Sequence, residues 1–486
     1  MKLNWYRRDQ AGVVEALKRG QRPTMATTMG CGPLDELIAL HDELGVFDAL
    51  GEVECQRQRA GIDDELQLRT IAVLPFLEAG SLSGAAQQLF HEPAILLHLG
   101  WSPLQLQTGD NERHRCPQSL RRLPESLPCH PDTLRDALKR VSEAAWLQLQ
   151  QAGVRALFER RLVHGHVYAI DGTGLNDEWR LVCLVCVSAP RPVIVAWRLL
   201  SGEASEKGKE ARVTRTLVEQ AIALGGKGCI DLLLMDALYA DGPLLAWLKY
   251  KQNIDAIVPI PSDRELHRDL VGLVEGGLLS FTPVSYTCTR QGHKQRRTLE
   301  FAWQGGLTGW DSFVSAATAY GAIEPCLWGC LIRSPGAALD ADKPLAANQE
   351  VWTIVSTRSW GDGMAAWQGY RPRWHIENDA YRELKEGWRL ESQRWGRDEA
   401  VQRGRITLTC LAFNTAQVYL SLAGAKLAAR GIRRLRRLYQ PELGAAPTVI
   451  YLGRSFAVLP LEELLAVLGR PATVSLRSLN HPVRPP

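Results

Sequence analysis

Three acidic residues stand at places where folding alone does not ask for acids. Asp171 ends the apolar run "HVYAID", Asp236 ends "DLLLMD", and Glu377 lies within "YRPRWHIENDAYRELKEGW", residues 370–388. Carboxylate oxygens are what hard divalent cations such as Mg2+ take as ligands. Acids at the carboxyl ends of neighbouring strands converge on one edge of an α/β sheet, where sites form. With a glutamate delivered by a helix, such a pair could hold two cations, which together activate a nucleophile and stabilise the leaving oxygen of a phosphodiester. Each acid also has a plainer reading. Asp171 with Gly172 makes a turn, and Asp236 caps the next helix, a role for which Asp241 competes. Glu377 forms an i,i+4 pair with Arg373 on a solvated face. Asp231 begins its strand and so sits at the wrong end, and Asp177 and Glu178 fall in a solvated turn. It is the combination of three that the plain readings leave unexplained.

The stretch around Glu377 reads as a helix. At about 100° per residue, Arg373 and Tyr381 lie about 40° to either side of Glu377, with Leu384 and Trp388 about 20° away. Arg, Glu, Tyr, Leu and Trp then share one stripe, and a core stripe carries a glutamate only when its charge is compensated.

These residues need a scaffold, and the chain is long enough for several domains: it has 486 residues against one to two hundred in an ordinary domain. A hydrophobic share of 45% with 23% charged is that of a soluble globular protein. The net charge of +4 forces no nucleic-acid reading by itself. Its distribution is more telling: residues 371–440 hold fifteen Lys and Arg against seven Asp and Glu, a balance of +8. Within that region Arg433, Arg434, Arg436 and Arg437 form a basic helix suited to phosphate contacts, or else to a solvated face. Eleven scattered cysteines argue for reduced thiols in a cytosol. Cys183 and Cys186 form a C-x-x-C in a strand-like run without a second pair at zinc spacing, so they read as core, as do Cys326 and Cys330. The first residues have no apolar core of a signal peptide, and no apolar run approaches the roughly 20 residues of a membrane span.

The expected organisation is a helical N-terminal domain over 1–125 that is a candidate for DNA binding. "EAGSLSGAAQQLF" there fits a helix-turn-helix or any helical hairpin. A long helix starts near Pro131, and strands and helices alternate to about 260. Over 126–260 this reads as the first part of an α/β core with a mixed sheet. A β-rich insertion follows over 261–349. Residues 350–422 give the second part of the core with the glutamate helix. Helix fragments, the basic helix and a Pro-rich tail fill 423–486.

The chain resembles the DDE transposases of bacterial insertion sequences, which have an RNase H-like catalytic core. "AIDGTGL" is similar to their first-Asp strand, "LLLMDALYADGPLLAWL" to their second-Asp strand and helix, and the 370–388 stretch to their glutamate helix. The β-rich segment between the second Asp and the Glu matches a subgroup whose signature is Tyr, two residues, Arg, three residues, Glu, six residues, Lys. Tyr370, Arg373 and Glu377 fit that spacing; Leu384 holds the Lys position and Lys385 comes one residue late. The resemblance implies an RNase H-like fold and cleavage and strand transfer of an insertion sequence with two ions of Mg2+ or Mn2+ held by Asp171, Asp236 and Glu377. It implies Tyr370, Arg373 and Lys385 as DNA contacts, and terminal inverted repeats and target DNA as partners. It further implies a homodimer on DNA and a cytoplasmic, nucleoid-associated location. Fifteen tryptophans leave candidates such as Trp352 and Trp374 for stacking on an unpaired base. The competing readings are a two-metal nuclease that only hydrolyses, and a DNA-binding derivative without catalysis.

Overall fold

A computed structural model describes residues 7–28, 34–55, 61–77, 80–90, 92–102, 105, 128–175, 178–205, 210–290, 293–337, 339, 351–392, 395–422, 431–433 and 448–469. The described strands, in chain order, are β1 (Arg7–Arg8), β2 (Met25–Thr28), β3 (Val167–Gly174), β4 (Trp179–Cys186), β5 (Val193–Ser201), β6 (Leu232–Leu234), β7 (Asp255–Ile260), β8 (Thr282–Arg290), β9 (His293–Leu307), β10 (Leu327–Arg333), β11 (Val351–Ser356), β12 (Thr448–Leu452) and β13 (Ser455–Leu459). The chain divides into two units: residues 157–383, and residues 1–156 with 384–486.

The 157–383 unit is built on one mixed sheet of nine strands in the order β5-β4-β3-β6-β7-β11-β10-β9-β8. β3, β6 and β7 run parallel to one another, and the other pairs are antiparallel. Parallel strands need crossovers, and two helical segments supply them: Thr214–Gly225 before β6, and Gly242–Ala246 continuing into Trp247–Lys251 before β7. Sequence dictates the centre. "LVCLVC" and "LLL" are unbroken apolar runs, as strands covered on both faces require, and Leu181 to Cys186 and Leu232 to Leu234 are all buried. Three antiparallel strands, a helix, a strand, a helix and a strand, in that order, make the α/β fold of the RNase H-like kind. The 261–349 segment adds β8, β9 and β10 to the same sheet beyond β11.

The other unit is mainly helical. The helix Glu399–Leu422 is buried along most of its length, and its Gly404 leaves room for Trp146, whose ring atoms a Cβ would meet at 2.6 Å. Three expectations are corrected here. The single long helix after Pro131 is two, Pro131–Arg140 and Glu143–Glu159. Val141 is extended between them and Ser142 caps the second through Ala145 N at 3.1 Å. The region of the last forty-odd residues, expected as helix fragments, holds a hairpin, β12–β13. The alternating Thr448-Val-Ile-Tyr run and Gly453 at φ 61° supply its strand and its turn. The first residues are not all helical either, because β1 and β2 join that hairpin in a sheet ordered β1-β13-β12-β2. Among the described residues no helix is long and apolar enough to cross a membrane.

Candidate active site

β3 and β6 pair in parallel with Ala169 level with Leu234. Asp171 lies two residues beyond Ala169 on β3, and Asp236 two residues beyond Leu234, the last residue of β6. Regular pairing of β6 stops at Leu234, yet the backbone is still extended at Asp236, with φ −84° and ψ 168°. Asp236 makes no side-chain cap bond. Asp241 takes the cap, accepting from Leu244 N at 2.7 Å. Asp231, at the other end of its strand, pairs with Arg358 at 2.8 Å, and Asp177 lies outside the described residues.

Asp171 accepts from Gly172 N at 2.8 Å. Its carboxyl is pushed up to about 6, first by burial and then by the neighbouring charges of Asp236 and Glu377, against the opposing pull of Gly172 N–H and Arg373. The negative charges of Asp236 and Glu377 thus act on Asp171, and a cation beside it relieves that repulsion.

The glutamate segment arrives through the helix Gly363–Tyr370, capped by Asp362, which accepts from Ala365 N at 2.7 Å. Pro372 then interrupts the helical ladder, since it has no N–H to donate. A tight turn over Arg371–Arg373 follows, and after it the backbone winds as a π-helix over Ile376–Tyr381 and again over Glu383–Gly387. This corrects the expected straight α-helix. A π turn bonds i to i+5 and so takes in an extra residue, and arithmetic at 100° per residue does not hold beyond Ile376.

Arg373 is buried to 8% exposure. Its Nη1 lies 2.8 Å from Glu377 Oε1 and 3.8 Å from Asp171 Oδ2. The Arg373–Glu377 pair therefore exists, with the arginine buried and the glutamate exposed. The guanidinium carbon stands 5.7 Å from the centre of the Tyr370 ring, and Arg373 Nε is buried with no hydrogen-bond partner among the described residues. Tyr370 is also buried, and its hydroxyl donates to the Met235 carbonyl at 3.3 Å. That ties the glutamate segment to the residue before Asp236.

Tyr381 was given no role by the sequence, although it fell on the Glu377 stripe. Its hydroxyl accepts from Cys183 N at 3.1 Å and donates to the carbonyl oxygen of Asp171. Asp171 and Cys183 face each other across β3 and β4, so the phenol stands in the ladder beside the first aspartate. The signal available was a tyrosine one turn beyond a site glutamate.

Of the other expected DNA contacts, Lys385 Nζ pairs with Glu391 at 2.5 Å. Arg433 is exposed and lies 3.5 Å from Glu386. Arg434, Arg436 and Arg437 lie outside the described residues. Trp374, next to Arg373, is 61% exposed, whereas Trp352 is half-buried on β11. Cys183, Cys186 and Cys330 are buried free thiols and Cys326 a half-buried one. Among the described residues no three His, Cys, Asp or Glu side chains stand close enough together to hold a metal ion. The cation shared by Asp171 and Glu377 is Arg373.

Residues 199–414 match the family model described as Transposase DDE domain. The matched stretch contains Asp236, Tyr370, Arg373 and Glu377 and begins after Asp171. No curated protein matches the chain. The stretch 199–414 is thus similar to transposase DDE domains of the insertion-sequence kind.

Proposed function

We propose that the chain cuts DNA at the ends of an insertion sequence and joins the freed 3′-hydroxyl to target DNA, with Asp171, Asp236 and Glu377 as its catalytic acids. The observation that carries this reading is the parallel pairing of β3, which holds Asp171, with β6, which ends two residues before Asp236, and Arg373 joining Asp171 to Glu377. The donors suit hard ions, Mg2+ or Mn2+, in kind, because all are carboxylate oxygens, and burial disfavours the unneutralised charge of Asp171. Arg373 stands between Asp171 and Glu377, and among the described residues the acids do not themselves close on a metal. When bound, such ions activate the attacking oxygen and stabilise the leaving one.

The chain's own residues do the rest. Arg373 neutralises the acids at rest, and its planar fork suits a backbone phosphate. Taking that phosphate releases Glu377 toward the acids. Tyr370 and Tyr381 act as positioning residues, each spending its hydroxyl on the backbone beside an aspartate. Trp374 offers an exposed ring beside the site on which an unpaired base can stack. Terminal inverted repeats and a target duplex are the substrates, bound by a homodimer.

The test uses DNA carrying the element's own ends. Asp171→Asn, Asp236→Asn and Glu377→Gln are each expected to abolish cleavage in Mg2+ while leaving DNA binding largely intact, because an amide keeps the shape and loses the charge. Cleavage retained by any one variant removes that residue from the triad. Cleaved ends that never become joined to target leave a nuclease instead.

A further inference from the structure

Between Glu275 and Glu300 the chain contains no acidic residue, and it holds Arg290, Lys294, Arg296 and Arg297. All four belong to β8 and β9. β8 is the edge of the nine-stranded sheet, paired with β9 from Thr282 opposite Phe301 to Arg290 opposite His293. β10 meets β9 only from Glu300 onward. Over residues 293–299 the described partner of β9 is β8 alone, so a two-stranded ribbon runs out past the sheet. Successive strand residues point to opposite faces, and Lys294, Gln295, Arg296 and Arg297 are all exposed. Side chains from both faces of β9 therefore reach solvent here. Lys294, Arg296 and Arg297 make no ion pair with any described residue. Tyr286, opposite Arg297, sets its ring edge-on to Trp367 at 4.8 Å and anchors the ribbon on that face.

A lysine or two on an edge strand guards against unwanted pairing. Four cations without one acid exceed that need, since a solvated surface ordinarily mixes both signs. Lys294 and Arg296 share a face two residues apart, about 7 Å, with Thr287 opposite Arg296. Two strands ~4.8 Å apart fit a major groove about 12 Å wide.

We propose that the β8–β9 ribbon is a second DNA-binding element, a basic arm that enters the groove of double-stranded DNA and grips its phosphates through Lys294, Arg296 and Arg297. The inference rests on the reading of a chain that acts on DNA, and it places contacts away from the three acids, on residues that no motif of the acidic site includes.

The experiment measures binding of the full chain to a fluorescent double-stranded oligonucleotide of arbitrary sequence over a series of NaCl concentrations. EDTA is present, so that the acidic site plays no part. Removing three phosphate contacts in Lys294→Ala/Arg296→Ala/Arg297→Ala should lower the log–log salt slope by about 2–3, at about 0.9 per contact. The charge-keeping Lys294→Arg/Arg296→Lys/Arg297→Lys variant should hold the wild-type slope. A circular-dichroism melt of each variant should match the wild type, because the three side chains are exposed. An unchanged slope in the alanine variant overturns the proposal, as does an equal loss in the charge-keeping one. Binding to phosphatidylserine vesicles that the alanine variant loses, with its DNA slope unchanged, also overturns it and assigns the ribbon to an anionic membrane. Failure of the catalytic reading would show elsewhere, as cleavage surviving in the acid variants, and would leave the slope measurement standing.

Discussion

A guanidinium at 8% exposure, within 2.8 Å of one carboxylate and 3.8 Å of another, leaves a charge imbalance when it is removed. Lys385 is differently placed: half-buried and engaged with Glu391 at 2.5 Å. The two basic residues of the motif should therefore separate experimentally. On pre-bound DNA, Arg373→Ala is expected to slow strand cleavage by about 10²-fold or more, roughly 3 kcal/mol of barrier, and Lys385→Ala by about tenfold or less. A larger loss at Lys385, measured as single-turnover cleavage, would refute this ranking. At this scale the sequence was legible in residue types and spacing. Asp171 and Asp236 announced themselves as acids that end apolar runs, and Asp241 was readable as the competing cap. The depth of Arg373 was not legible, because an i,i+4 Arg–Glu spacing looks the same whether the arginine is solvated or buried. Nor was Tyr381, whose phenol matters through backbone atoms about two hundred positions away.

At the scale of elements, the glutamate segment is held to the sheet by two phenols, at Met235 and at Asp171 with Cys183. Tyr381→Phe keeps the ring and leaves the Cys183 N–H and the Asp171 carbonyl without this partner in a buried place, which costs about 1–3 kcal/mol. The expected result is a lower midpoint in urea unfolding. Cleavage should fall as well, since the loosened segment carries Glu377, while affinity for DNA stays near wild type. An unchanged midpoint would show that another group fills the gap. Strands of the α/β core could be read from apolar runs such as "LLL" and "LVCLVC". The π winding after Ile376 could not, because no residue type marks it: it depends on Pro372 upstream and on which strand the tyrosines reach. The β12–β13 hairpin was readable from Thr448-Val-Ile-Tyr and Gly453 but was masked by apolar neighbours that also suit helices. The pairing of that hairpin with β1 and β2 carries no local signal at all.

On the scale of the whole chain, residues 157–383 are contiguous, whereas the other unit needs two separated segments. Within that second unit Arg7 pairs with Ser455 and Thr27 with Val449. Val13 and Leu17 are buried in one cluster with Ile450, Ala457, Leu459 and Leu464. A ribosome adding about 5–20 residues per second takes about 20–90 s to travel between such partners. For that interval the first strands have nothing to pair with, while the segment bearing all three acids is already out and able to fold. Chains arrested before codon 448 should resist protease over 157–383 and be cut within 7–28. Equal resistance of both regions in arrested chains would mean that the early strands find another shelter. A message broken late in its coding sequence would thus release a polypeptide with residues 157–383 complete and its two ends unsewn. Proteolysis of that loose hem would tie the supply of the protein to the integrity of its transcript.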